Sequence, residues 1–318
     1  MLVLTITLSS AIVSGLAAWT VVHHWPRVDL TSPRVPNHRI EALVSRHPRL
    51  GGFARARLDP AAATGVALSA AIAVVVIGTV GFGVLLVMIR ANAGFAHFDL
   101  GGAEFGARHA TALSTRVLRL LTQLGGAVVL VPLALLVAVV EARRLRPVSV
   151  VAFLALTVGG QFLVANLIKG IVDRARPNLD RLTGFSGPSF PSGHAVAAAA
   201  TLAAFALVIG RRRSVTVRAW LTGVAVGLAV AIAATRVLLG VHWLTDVLGG
   251  LALGWAWFAM CSIAFGGRLL QFGAAVEAAE QAVAEAPPGR GASITTITPV
   301  TTERTIPSGA GSLTRKAR

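Results

Sequence analysis

The chain has 318 residues, of which 55% are hydrophobic and only 13% charged, and its mean hydropathy is +0.74. Soluble globular domains carry charge on roughly a quarter of their residues, so this composition excludes one and predicts an integral membrane protein. A net charge of +16 with a pI near 11.9 would suggest nucleic acid on a soluble protein. Here the basic residues stand in short clusters between apolar runs, which makes them topology signals and headgroup contacts and leaves no nucleic-acid partner.

Seven apolar runs are long enough, or nearly so, to cross: about 2–22, 64–89, 123–142, 149–168, 194–210, 219–237 and 244–265. A crossing helix needs roughly 20 residues, and the fifth run is the shortest. The runs are continuous rather than alternating, so helices are expected and strands are not. In chain order, the first run lacks a preceding basic region, so no cleavable signal peptide of ordinary form is expected. His23, His24 and Trp25 at its end read as an interfacial belt. Residues 23–63 form a basic linker carrying Arg27, Arg34, Arg39, Arg46, Arg49, Arg55 and Arg57. The segment 90–122 fits either an amphipathic helix in the interface or an ordinary connecting loop. Cys261 is the one cysteine, which excludes an intramolecular disulfide and a cysteine-based metal site. From about 273, "GAAVEAAEQAVAEA" fits a short helix, and the rest of the 268–318 tail is Pro/Gly/Ser/Thr-rich and expected to be disordered.

The linker, the loop "RRLRP" at 143–147 and the loop "RRRSVTVR" at 211–218 fall on one side if all seven runs cross. The positive-inside rule makes that side cytoplasmic. The N-terminus and the loops 90–122, 169–193 and 238–243 are then outside. One outside loop defies the rule: "KGIVDRARPNLDR" at 169–181 carries Lys169, Arg174, Arg176 and Arg181. Pairing with Asp173 and Asp180 in the same stretch would be an ordinary reason for these cations; a bound anion is the other. The same face holds His194 at the start of the fifth run, Arg236 at the end of the sixth, and His242 and Asp246 ahead of the seventh. His242 and Asp246 are four apart, which on a helix sets the carboxylate against an imidazole N–H.

Three cations suit a phosphate dianion, with guanidinium forks and a lysine point charge. The backbone amides of Ser192 and Gly193, opening an apolar helix, would face the same anion. One histidine oriented by an aspartate makes a nucleophile, and a second can protonate a leaving group. The chemistry that fits is phosphoryl transfer through a phosphohistidine. The carboxylate cluster that Mg²⁺ would want is missing, so neither a metal nor another cofactor is expected.

These residues resemble the membrane-bound type 2 phosphatidic acid phosphatases (PAP2), whose site is shared with vanadium haloperoxidases. The resemblance rests on three motifs in order. Lys169 through Arg176-Pro177 matches K-x6-R-P, and Pro191-Ser192-Gly193-His194 matches P-S-G-H. Thr235-Arg236, His242 and Asp246 match S-R-x5-H-x3-D, with threonine in the place of serine. The resemblance covers about 64–265 and implies an all-α integral membrane protein, a six-helix PAP2-like bundle at 64–267 plus one extra N-terminal helix at 1–22. It implies that Lys169, Arg176, Ser192, Gly193 and Arg236 bind phosphate, that His242 is the nucleophile with Asp246 orienting it, and that His194 is the general acid. The implied substrate is a lipid phosphate or diphosphate in the bilayer: a polyprenyl diphosphate such as the undecaprenyl carrier, phosphatidylglycerol phosphate or phosphatidic acid. Transfer to a lipid or sugar acceptor, or a non-catalytic lipid-binding or transport role, would fit the same scaffold. Gly250 and Gly254 would let two helices approach closely, within the protein or between protomers, and the oligomeric state stays open.

Overall fold

A computed structural model describes residues 1–24, 63–143, 147–179, 182–184, 187–211 and 213–284. The basic linker and the Pro/Gly-rich part of the tail lie outside these residues. Among the described residues the regular structure is entirely helical: α1 Leu2–His24, α2 Ala63–Ala91, a 3₁₀ turn at Gly94–His97, α3 Phe98–Arg108, α4 Ala112–Gln123, α5 Ala127–Ala142, α6 Pro147–Val172, α7 Gly193–Gly210, α8 Val215–Leu238 and α9 Leu244–Ala284. The chain forms two compact units, Met1–Glu277 and Ala278–Arg318. The first holds everything described below.

Among the described residues, six helical segments are long and apolar enough to cross a bilayer: α1, Ala70–Ala91 of α2, Val150–Val172 of α6, α7, α8 and Leu244–Phe265 of α9. The third expected crossing takes another form. Helix α5 has 16 residues, a rise of about 24 Å against a hydrocarbon core of roughly 30 Å. It becomes a crossing only with α4, across a bend of 42°. Gly126 takes an extended conformation at the head of α5 (φ −80°, ψ 152°), so the helix cannot run through. The segment 90–122 is therefore no simple loop: its first part folds as α3, and its second part is most of α4, the first helix of the bent pair. At the far end, the expected short helix falls within the bounds of α9, Leu244–Ala284.

Helix α7 is the centre of the bundle. Ala195 through Ala200 are all buried, and their small side chains let neighbouring helices come close. In α9, a Cβ on Gly250 would lie 2.9 Å from the Ser192 carbonyl oxygen, and one on Gly254 would lie 2.6 Å from that of Val196. The Gly250/Gly254 pair thus serves packing inside the protein. Helix α1 lies against α8, where Gly15 and Gly223 bring the backbones together and Trp19 meets Trp220 at 5.6 Å between ring centroids. Trp19 also stacks on His23. The outer faces of α1 and α2 expose Leu8, Val13, Val76, Ile77 and Val87, as helices bordering hydrocarbon do.

Candidate active site

Four helix ends meet at one place: the C-terminal ends of α6 and α8, and the N-terminal ends of α7 and α9. Each carries a polar side chain that its apolar helix would not otherwise tolerate: Lys169, Arg236, His194 and Asp246, in the last or first turn. The chain leaves α6 through Asp173 in the left-handed region (φ 43°), which aspartate tolerates better than most residues. It then runs extended past Arg174 and Arg176. Two bonds pin this stretch: Ser189 N–H donates to the Arg174 carbonyl (2.8 Å) and Trp243 Nε1 to that of Ala175 (2.8 Å).

His242 is buried, and Asp246 is wholly so. Nδ1 of His242 faces Asp246 Oδ2 at 3.3 Å. Arg176 Nη1 lies 3.1 Å from His242 Nε2 and can only donate to it, so Nδ1 is the protonated nitrogen. Burial disfavours the imidazolium and lowers the His242 pKa to about 4, against the raising influence of the Asp246 bond and charge. The imidazole is held neutral, with Nε2 turned away from the carboxylate.

Around this pair stand the cations. Lys169 Nζ donates to the Pro188 carbonyl (2.8 Å), and Arg176 Nη2 donates to the same oxygen (3.1 Å). Arg176 also donates to the carbonyls of Gly187 (2.8 Å) and Val241 (2.7 Å). Arg236 is buried and donates to Thr122 Oγ1 at 3.1 Å, while its Nε has no partner among the described residues. Ser192 is the N-cap of α7, and its buried hydroxyl likewise has none. The Ser192 amide is engaged, donating to the Asp246 carbonyl at 3.0 Å. The hydroxyl of Ser192 and the amide of Gly193, rather than two backbone amides, are what this turn can offer an anion. His194 lies within electrostatic range of Lys169, Arg176, Arg236 and His242. Its ring faces the α4–α5 break, where a Cβ on Gly126 would lie 3.7 Å from Nε2. All eight residues singled out in the sequence therefore meet here.

The sequence reading missed the shell behind them. Arg174 does not serve Asp173 in its own stretch. It reaches Asp246 Oδ1 (2.6 Å) and Asp99 Oδ2 (2.7 Å). Asp246 also accepts from Ser189 Oγ and from the Trp243 amide (2.9 Å). Thr122, Ser189 and Thr245 carry no motif signal; Asp99 is a lone acid in the first turn of α3, and its burial is not visible from spacing.

Residues 149–269 match the family model of the PAP2 superfamily. That region of the chain is similar in sequence to the PAP2 superfamily. The chain is 38% identical over 119 residues to a lipid A 1-phosphatase of Rhizobium etli, a match covering 34% of this chain and 47% of that one. It is 35% identical over 107 residues to phosphatidylglycerophosphatase B of Bacillus subtilis, covering 31% and 50%. The chain thus spans about half the length of the curated relatives it matches. The crystal structure of a transmembrane PAP2 type phosphatidylglycerolphosphate phosphatase from Bacillus subtilis superposes with a TM-score of 0.56 at 27% identity. That likeness covers 62% of this chain and 98% of the other, so the PAP2 fold extends well beyond the motif region.

Proposed function

We propose that the protein hydrolyses a lipid phosphate or diphosphate through a phosphohistidine on His242. The observation that carries this reading is the meeting of Lys169, Arg176 and Arg236 with His194 and the His242–Asp246 pair. The phosphate lies among the three cations, which neutralise it and hold the charge on its oxygens as the transition state forms. The orphaned Arg236 Nε and Ser192 Oγ gain phosphate oxygens as partners. Arg176, which donates to His242 Nε2 in the unliganded site, turns to the substrate and frees the nucleophile.

His242 Nε2 then attacks phosphorus as the bond to the lipid oxygen breaks, and that oxygen takes a proton from His194. Asp246 keeps the Nδ1 proton and stabilises the cationic ring. Water next attacks phosphorus and gives its proton to His194, and the electrons of the N–P bond return to His242. The net change is lipid phosphate plus water to lipid alcohol (or monophosphate) plus inorganic phosphate. No step calls for a metal ion.

The names of the relatives support lipid A type 1-phosphates and phosphatidylglycerol phosphate as substrates, beside a polyprenyl diphosphate and phosphatidic acid. The arginine-rich loops support a site at the outer face of the cell membrane. The test is phosphate release from each of these four lipids by protein purified in detergent with a chelator present. His242→Ala is expected to lower the rate by a factor of about 10³ or more; an unchanged rate overturns the mechanism.

A further inference from the structure

Asp99 lies outside residues 149–269 and is distant in sequence from every motif, yet it is 4% exposed. It accepts three hydrogen bonds: from Arg174 Nη2 (2.7 Å), from the Thr245 amide (2.8 Å) and from Thr245 Oγ1 (2.7 Å). Thr245 Oγ1 in turn accepts from Arg174 Nη1 at 2.8 Å. The same Nη1 donates to Asp246 Oδ1. One guanidinium therefore stands between two buried carboxylates and gives a different nitrogen to each. The Arg174 plane also lies over the Trp243 ring, 5.6 Å from its centroid.

We propose that Asp99 is a positioning residue for the PAP2 reaction: through Arg174 and Thr245 it fixes how Asp246 presents itself to His242. The reason lies in guanidinium geometry. Arginine binds a carboxylate most strongly with two parallel N–H···O bonds. With Asp99 holding Nη2, Arg174 can take only Oδ1 of Asp246. Oδ2 is left to His242 Nδ1, Ser189 and the Trp243 amide. Without Asp99, the second arm is free to swing onto Asp246 and compete for Oδ2. The imidazole then loses the bond that sets its orientation.

Helix α3 is held firmly enough to do this work. A Cβ on Gly106 would lie 2.5 Å from the Leu238 carbonyl oxygen, so α3 rests directly on the backbone at the end of α8, two residues past Arg236. Asp99 is thereby indexed to the phosphate side of the site as well as to Asp246. The inference deepens the proposed phosphatase mechanism and rests on it.

The test is steady-state kinetics of full-length Asp99→Asn, Arg174→Lys and the double variant on whichever lipid phosphate the wild type hydrolyses. Asparagine keeps the shape and an acceptor but loses the charge that holds Nη2. Positioning predicts a fall in kcat of about 10-fold or more with KM within about 2-fold, because the phosphate ligands are untouched. It also predicts that the double variant is little worse than the worse single variant, because both break one relay. A second readout is the trapped phosphoenzyme, which should form more slowly in Asp99→Asn at saturating substrate. If Asp99→Asn aggregates in detergent, Arg174→Lys, which keeps the charge and loses the fork, must show the same kcat loss. Unchanged kcat in either folded variant overturns the inference, as does a rise in KM alone or independent, multiplying losses. An inactive wild type would instead sink the phosphatase reading, so the two failures are distinguishable.

Discussion

His242 is a buried imidazole, and in the proposed mechanism its charge state decides whether it can attack. Desolvation opposes protonation, and Asp246 favours it; burial wins, and the pKa falls to about 4 from an ordinary 6.5. The neutral form is the attacking form, so it persists through neutral pH and is lost only as pH falls through about 4. The acid limb of kcat/KM assigned to His242 should therefore lie near pH 4. Asp246→Asn removes the group that raises the pKa and should move that limb lower still while lowering kcat; a limb near 6.5 in the wild type contradicts the assignment. His194 carries a separate prediction. As the donor to a lipid alkoxide it is needed for a poor leaving group and not for a good one. His194→Asn should lower kcat/KM, which reports phosphoenzyme formation and not its later hydrolysis, by about 10²–10⁴ on a lipid phosphate but keep most of it on an aryl phosphate with an acidic phenol. Equal losses on both substrates would assign His194 to phosphate binding.

Helices supply the distances. The site is assembled from the ends of α6, α7, α8 and α9, so its dimensions follow from how closely these four pack. Alanines along α7 and the glycines of α9 set that spacing, with Gly254 bringing two backbones together. Gly254→Leu should force α9 away from α7 at a cost of about 1–3 kcal/mol, read as a lower unfolding temperature in detergent with activity lost in parallel. The same substitution at Gly81, beside which no atom stands within 4 Å, should change neither. The break between α4 and α5 has a comparable purpose. A Cβ on Gly125 would lie 2.5 Å from Ile232 Cγ2 and 3.3 Å from the His194 carbonyl oxygen. A straight helix with ordinary side chains would push the span away from His194 and take Thr122 from Arg236.

At the scale of the whole molecule, polarity is segregated along the bundle. The eight candidate site residues collect where the C-terminal ends of α6 and α8 meet the N-terminal ends of α7 and α9, and in sequence the clusters "RRLRP" and "RRRSVTVR" fall between α5 and α6 and between α7 and α8. Under the proposed function, a lipid headgroup would meet the candidate site laterally, with its tails still in the bilayer. A reporter fused within 211–218 should be cytoplasmic and one within 178–190 should not; the reverse would put the site on the inner leaflet and change the substrates it meets. The extra helix α1 contacts α8 and reaches α4. It thus braces the helix that carries Arg236 without contributing any of the eight site residues.

The sequence by itself determined the membrane class, the helical fold, most of the apolar helices, and a set of eight polar residues that the fold brings to one place. These are legible because hydropathy is a property of a run and the motifs fix short spacings along a chain: four residues from His242 to Asp246, seven from Lys169 to Arg176. Tertiary structure decided what spacing does not encode. Arg174 and Asp99 are 75 residues apart, and their pairing exists only because α3 folds over the end of α8. Local reading offered the cations of this stretch Asp173 and Asp180 or a bound anion, whereas the fold gives Arg174 to the buried carboxylates of Asp99 and Asp246. The bend in the third span and the loss of the Ser192 amide to Asp246 have the same origin. Each is a contact between separate elements, chosen by what is left to satisfy once the apolar faces have packed.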